Sequence, residues 1–350
     1  MIPAQAPRRL TPWRVLQALF WIVGVVMVAA LIFAPRLGQT LFWNVLIPFA
    51  PGIFVVAASL WRNVCPLATT SLLPDRLGLS RKIKIPFKAQ QRLNLAGAIA
   101  LFAIIPLRHV IFDNDPRATG FLLLGTAVLA VGLGFVFERK SAWCNGLCPI
   151  HPVERLYGAG VAFSVPNVHC DTCVNCALPC PDSLPTSQRA LPKVRESRWT
   201  SLLMAGAFPG YVWGWFQQPD YTGAAGIAHL GWIYFYPAIG GLATLALYVA
   251  LGRWLPKRRE LWLNLFAAAA VSCYYWFRFP QLFGFNPMHS NDALVLVNLT
   301  GQLPGWSMIV LNLATTSFFV WWNAFRRRRR ISWSPRPPYA AGERTKTVPT

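Results

Sequence analysis

Four cysteines near the middle of the chain have the spacing of an iron–sulfur ligand set. They read C-x2-C-x2-C-x3-C-P, a run that ligates [4Fe–4S] clusters in bacteria. Three closely spaced thiolates can fold around one cubane, and the proline turns the fourth thiolate toward another cluster. Zinc sites instead favour two separated C-x2-C pairs, so this spacing predicts iron–sulfur ligation. The four residues are Cys170, Cys173, Cys176 and Cys180.

Two shorter motifs place a cysteine directly before a proline at the predicted end of a helix. Cys144 and Cys148 form a C-x3-C-P motif, in which two thiolates lie about one helical turn apart. Cys65 precedes Pro66 in a related segment, where Trp61 occupies the position of the first cysteine. Isolated cysteines of this kind are often packing residues. Their proximity to the longer run favours a role in cluster binding.

The number of ligands leaves more than one arrangement open. Two [4Fe–4S] clusters need about eight ligands, and Cys273 is expected to be a structural residue inside a span, which leaves seven cysteines. One cluster can be complete within the run. Alternatively, Cys180 joins Cys65 and the C-x3-C-P pair, and the rest of the run recruits a ligand such as His169 or Asp171. We expect one or two clusters, with two favoured and all seven cysteines involved.

The composition assigns these motifs to a membrane protein. Of 350 residues, 55% are hydrophobic and only 13% are charged, against about 25% charged in ordinary soluble domains. Apolar runs of about 20 residues predict an all-α integral membrane fold with about eight transmembrane helices, the second kinked at Pro48 and Pro51. The net charge of +21 comes from basic stretches between these runs, which argues against nucleic-acid binding. The predicted spans are 14–33, 41–60, 93–112, 119–137, 200–216, 229–251, 261–279 and 305–323.

Basic residues are distributed unequally between the two sides of these spans. Eight spans place 29 of the 33 basic residues on the side of both termini, and the positive-inside rule makes that side cytoplasmic. We therefore expect a multi-pass protein of the bacterial inner membrane, with its termini and clusters in the cytoplasm. The segments are 1–137 with four spans and the basic loop 61–92, 138–199 as a small cytoplasmic ferredoxin-like iron–sulfur segment, 200–325 with four more spans, and 326–350 as a basic, disordered tail.

These features resemble the membrane polyferredoxins, the NapH- and NosR-like proteins that serve periplasmic nitrate and nitrous-oxide reductases. The resemblance rests on residues 41–182, which contain the C-x3-C-P motif, its counterpart at Cys65 and the ferredoxin-type run. It implies electron transfer between the quinone pool or a cytoplasmic donor and a periplasmic enzyme. The chain differs in having one run where such proteins commonly have two, and in carrying Trp61 at a motif-cysteine position.

The histidines have both ordinary and functional interpretations. His151 and His169 lie near the cysteine motifs, where we expect them to form hydrogen bonds around a cluster. The remaining three lie at outer ends of spans or in an outer loop, as interfacial polar residues or as part of a quinone site, a metal site or a docking surface. These three are His109, His229 and His289.

Other polar and aromatic residues leave similar alternatives. Arg108, Arg278 and the aromatic run 274–277 fit a quinone pocket or an aromatic belt at the membrane interface. Charged residues flanking the C-x3-C-P motif are expected to be solvated, with a docking surface as the alternative. These flanking residues are Glu138, Glu154 and Arg155.

The predicted function is that of an electron-transfer accessory subunit rather than a complete enzyme. Its clusters would exchange electrons with a soluble donor or quinone, and its helices would contact lipid and other subunits of a redox complex. A hydrocarbon core of about 30 Å is too thick for one tunnelling step from an inner cluster. The alternatives are a cofactor-maturation or metal-reduction factor, and a structural subunit whose clusters act as staples. A transporter is disfavoured because no span carries a midplane Asp, Glu or Lys.

Overall fold

A computed structural model describes residues 11–83, 85–137, 142–158, 162, 198–221, 226, 228–285 and 294–326. Within these ranges the chain is predominantly helical, and its one β pairing is an isolated bridge between Ile83 and Phe137. The predicted all-α fold is therefore confirmed. The ferredoxin-type run at 170–180 and the tail from residue 327 lie outside the described residues.

Short turns separate the helices, and several helices begin with proline. Pro35, Pro66 and Pro116 each occupy the first helical position, where the N–H that proline lacks would have no partner within the helix. π-helical turns lie at Thr40–Leu46, Trp143–Leu147, Leu202–Ala207 and Trp321–Phe325. The α-helices are α1 Thr11–Phe33, α2 Pro35–Gln39, α3 Ile47–Val64, α4 Pro66–Ser71, α5 Leu73–Arg76, α6 Phe87–Ile104, α7 Pro116–Val136, α8 Ile150–Tyr157, α9 Arg198–Ser201, α10 Phe208–Trp215, α11 Leu230–Trp254, α12 Arg259–Leu282 and α13 Trp306–Val320.

In the described part of the chain, six helical segments are long and apolar enough to cross a membrane. They coincide with six of the eight predicted spans. The other two spans are also helical: 200–216 is built from short pieces ending in α10, and 261–279 lies within α12, which carries Asn264 and Arg278. The six segments are Pro12–Phe33, Pro35–Ser71, Lys88–His109, Pro116–Val136, Leu230–Trp254 and Trp306–Phe325.

Polar side chains are buried in the bundle while apolar ones face outward. Arg278, His109 and Asn44 are among the most deeply buried residues, and large apolar side chains of α1, α7, α11 and α13 are exposed. The main core is formed by aromatic and aliphatic residues of α3, α6, α8, α10 and α12. An apolar exterior around a polar and aromatic interior is the arrangement expected of helices in lipid. The chain is thus consistent with a multi-pass membrane protein.

The bend of α3 differs from the one predicted at Pro48 and Pro51. The non-helical residue is Ala57, with φ −147° and ψ 52°. Near the prolines, the Tyr275 hydroxyl of α12 lies between the Pro48 carbonyl and the Gly52 N–H, which would otherwise bond to each other in the helix. It donates to the Pro48 carbonyl at 2.6 Å and accepts from the Gly52 N–H at 2.9 Å. A side chain inserted into the ladder in this way is a recognised cause of helix bending.

Donors from outside the helix satisfy carbonyls that the bend at Ala57 releases. The Trp322 indole N–H donates to the Val55 carbonyl at 3.1 Å. The backbone N–H of Ala162 donates to the Val56 carbonyl at 2.8 Å. Buried carbonyls need such partners because water does not reach them inside a membrane protein. Residues from later in the chain therefore stabilise the bend through these hydrogen bonds.

Glycines allow the segment 202–215 to cross α11 at very close range. Gly206, Gly210 and Gly214 are spaced four residues apart and all three contact α11. A Cβ atom on Gly210 would overlap the Gly240 carbonyl, and one on Gly214 would overlap the Tyr236 carbonyl. Small residues at intervals of four are a frequent means of close helix packing in membranes. This crossing fixes α10 against α11.

Candidate functional site

Cys65, Cys144 and Cys148 lie together at one end of the bundle, here called the cysteine end. Each of the three thiols is within electrostatic reach of the other two. The Cys144 Sγ is also 3.7 Å from the Ser71 Oγ at the end of α4. None of the three forms a disulfide with another described residue. Two segments that are far apart in sequence therefore bring three of the seven predicted ligands to one place.

The two cysteine–proline pairs have the same backbone conformation. Cys65 has φ −57° and ψ 121°, and Cys148 has φ −60° and ψ 119°. A residue before proline favours this extended conformation, so the preceding helical turn stops and α4 or α8 begins just beyond. The backbone N–H groups of Leu67 and Ala68 act to lower the pKa of the Cys65 thiol, and that of Ile150 acts to lower the pKa of the Cys148 thiol. Amides at a helix start favour negative charge, such as that of a thiolate.

The C-x3-C-P motif forms a π-helical turn rather than the α-helical turn that its spacing suggests. The Cys148 N–H donates to the Trp143 carbonyl, five residues earlier, at 2.9 Å. π turns are rare and occur frequently at functional sites. The wider turn places Cys144 beside α4, so this thiol faces the segment that follows Cys65.

Burial of the Cys148 thiol raises its pKa well above the ordinary range, although the residue as a whole is only half-buried. Negative charge on Cys144, Cys65 and Glu154 raises this pKa further, while the Ile150 N–H lowers it. Neighbouring thiolates are therefore unfavourable here without a compensating cation. A metal centre supplies that compensation, because a coordinating thiol is deprotonated.

A buried ionic network lies directly beside these cysteines. The Arg62 guanidinium donates to Glu154 Oε2 at 2.7 Å, to Asn145 Oδ1 at 3.0 Å and to His151 Nδ1 at 2.8 Å. Because a guanidinium has no acceptor, Arg62 is the donor in its contact with His151, whose Nδ1 also lies 3.5 Å from Glu154 Oε2. Glu154 is only 4% exposed, so the expectation of a solvated charge was wrong for this residue. Its partner comes from α3, far away in sequence.

Gly97 of α6 packs directly against the turn that carries the cysteine pair. A Cβ on Gly97 would lie 2.8 Å from the Leu147 carbonyl oxygen, which belongs to rigid backbone. We expect Gly97→Ala to displace the turn, to cost about 1–3 kcal/mol and to speed maleimide labelling of Cys144 and Cys148 in detergent. Gly125→Ala is the matched control, because a Cβ there meets nothing within 4 Å. Equal labelling rates in the two variants would contradict this packing role.

A second buried cluster lies at the opposite end of the bundle, here called the arginine end. Arg108 forms a two-point ion pair with Asp113, at 3.0 Å and 3.1 Å. Its guanidinium also lies 3.9 Å from the Trp43 ring centre and 4.8 Å from that of Trp215. Arg278, only 1% exposed, donates to the Trp43 carbonyl at 2.7 Å. The residues predicted for a quinone pocket or aromatic belt thus meet at one end.

His109 is part of this end and is not an ordinary interfacial residue. It is 1% exposed and its ring stacks on Trp215, with ring centres 4.6 Å apart. Its Nε2 donates to the Trp215 carbonyl at 2.9 Å, and its Nδ1 is 2.7 Å from Asp220 Oδ1. Since a carbonyl only accepts, Nε2 is the donor in the contact with Trp215. The two contacts join His109 to the end of α10 and to Asp220 just beyond it.

The remaining predicted residues are only partly covered by the structure. His229 is half-buried and stacks on Tyr221, with ring centres 4.2 Å apart. Arg155 is half-buried on α8, and Cys273 packs against the main core. The others, which lie outside the described residues, are Cys170, Cys173, Cys176, Cys180, His169, Asp171, His289 and Glu138.

Three residues next to the cysteines were not predicted from the sequence. They are Arg62, Asn145 and Asn94, and Asn94 donates to the Asn145 carbonyl at 2.7 Å. A signal existed for the first two, because Arg62 and Asn145 occupy the same position in the two aligned cysteine–proline segments. Among the described residues, no group of three or more His, Cys, Asp or Glu side chains is arranged to hold a single metal ion.

Comparison of the chain with protein-family models, curated proteins and solved structures gives no match in any of the three.

Proposed function

We propose that this chain is a membrane-bound iron–sulfur electron-transfer subunit of a larger redox complex, and a member of the polyferredoxin type that its motifs resemble. The observation that carries the proposal is the meeting of Cys65, Cys144 and Cys148 at one end of the bundle. Three neighbouring thiols, two of them directly before a helix, form a donor set suited to iron–sulfur ligation. A single ion would require tighter grouping than the described residues show.

In this proposal the three thiols hold part of one [4Fe–4S] cluster, and Cys180 of the ferredoxin-type run completes it. The other cysteines of the run, Cys170, Cys173 and Cys176, hold a second cluster with one further ligand. When bound, such clusters accept and release single electrons. The protein's own contribution is to bind them, exclude water and fix the thiolates through the cysteine–proline turns.

We further propose that the chain crosses the membrane eight times and that the cysteine end lies in the cytoplasm. The segment 198–215 runs beside α6 to its far end, where the Trp215 indole donates to the Ile105 carbonyl at 3.1 Å. α12 likewise continues from the basic residues near Arg259 to Arg278 at the arginine end. Both segments therefore reach from one end of the bundle to the other, as a membrane-crossing segment must. A cytoplasmic protein or quinone would donate the electrons, and a partner subunit would receive them.

Metal analysis of the full-length protein, purified without oxygen, tests the proposal. We expect about eight iron and eight sulfide per chain, and an EPR signal of two reduced clusters. Separate serine substitutions of Cys65, Cys144 and Cys148 should each lower the iron content to about four. Cys273→Ala is the control and should leave it unchanged. A colourless protein whose only metal is zinc would overturn the proposal.

A further inference from the structure

Arg62 connects three segments at the cysteine end, and it does so through buried contacts. It lies in the last turn of α3, three residues before Cys65, and is 7% exposed. Its guanidinium reaches Asn145 between the cysteines of the C-x3-C-P motif, and Glu154 on α8. One side chain therefore joins the turn of Cys65 to the turn of Cys148.

An ion pair lies at the centre of this network. The Arg62 guanidinium and the Glu154 carboxylate are 2.7 Å apart, and the side chains of both are almost fully buried. Glu154 lies on α8, which begins two residues after Cys148. Charges interact strongly in such a buried setting because little water screens them.

We propose that the Arg62–Glu154 ion pair positions the two cysteine–proline turns and sets the redox potential of the cluster that they hold. This inference rests on the proposed function. Reduction adds one negative charge to a cluster, so a neighbouring cation favours the reduced form and a neighbouring anion disfavours it. Within the pair the two effects oppose each other, and removing either partner exposes the other.

Redox titration followed by EPR on the full-length, anaerobically purified protein tests this role. Arg62→Gln removes the cation of the pair and is expected to lower the midpoint potential of the cluster at the cysteine end. Glu154→Gln removes the anion of the pair and is expected to raise it. A purely structural role predicts no such opposition of sign. Potentials that move in the same direction, or that do not move, would overturn the inference.

Two further variants separate charge from stability. Arg62→Lys keeps the cation while losing the forked geometry, so its potential should stay closer to wild type than that of Arg62→Gln. Asp113→Asn removes a buried ion pair at the arginine end and should leave the potential unchanged. Should Arg62→Gln fail to fold, Glu154→Gln alone decides, because a potential that falls or stays unchanged in that variant overturns the inference. A wild-type protein without an EPR signal dependent on Cys144 and Cys148 would defeat the proposed function itself, and this inference with it.

Discussion

Replacing Gly210 with leucine is expected to prevent formation of the folded bundle. The α-carbon of Gly210 lies against the Gly240 carbonyl, and even a methyl group there would overlap rigid backbone of α11. Relief requires the two helices to separate, which also pulls apart the contacts of Gly206 and Gly214. Overpacking at such a site costs at least about 3 kcal/mol. Size-exclusion chromatography and thermal unfolding in detergent should show aggregation or a large loss of stability.

Gly231→Leu provides the matched control for this experiment. Gly231 lies on α11 as well, but a Cβ there meets nothing within 4 Å. Gly231→Leu adds the same apolar volume to α11, but the new side chain does not overlap a neighbouring helix. A Gly210→Leu protein that elutes and melts like Gly231→Leu would show that the crossing does not depend on glycine.

The second large effect concerns Asp113. Asp113→Asn preserves the size of the side chain but removes the charge that compensates Arg108, which is 6% exposed. Losing one partner of a buried ion pair leaves the other charge uncompensated and costs about 3–5 kcal/mol. The nearby Arg278 adds to the cost, because its positive charge also lies in this cluster. Thermal unfolding of the purified protein in detergent measures the loss.

Two comparisons make the test of Asp113 specific. The exposed Lys82 contacts Asp75 at 3.4 Å, and Lys82→Gln should cost no more than about 1 kcal/mol, as exposed pairs usually do. The double variant Arg108→Met with Asp113→Leu removes both charges and should recover part of the loss. Equal losses in Asp113→Asn and Lys82→Gln would mean that the Arg108 pair does not stabilise the arginine end.

The sequence predicted the helices well because lipid imposes a simple rule on them. A long apolar run is sufficient to define a span, and six predicted spans recur as long apolar helices. The proximity of Cys65 to Cys144 and Cys148 was also predicted, because both cysteine–proline pairs were expected at the inner ends of membrane spans. Ligation and function stay predictions that the metal analysis and the redox titration address, and sidedness also stays a prediction.

Pairings between distant segments could not be predicted from local patterns. In the sequence, Glu154 follows a cysteine motif that is predicted to end a helix. Its carboxylate is buried because it pairs with Arg62 of α3. His109 likewise becomes a buried residue only because Asp220 and Trp215 lie beside it in the fold. Periodicity and composition describe each segment by itself, whereas these contacts depend on how the helices pack.

The bend of α3 has a consequence for the order in which the protein matures. Trp322, which satisfies the Val55 carbonyl at the bend, belongs to the last described helical segment of the chain. The second span therefore reaches its final form only after residue 322 has been synthesised and has packed against it. Cys65 lies at the end of that span. We expect its thiol to take its final position late in the folding of the chain.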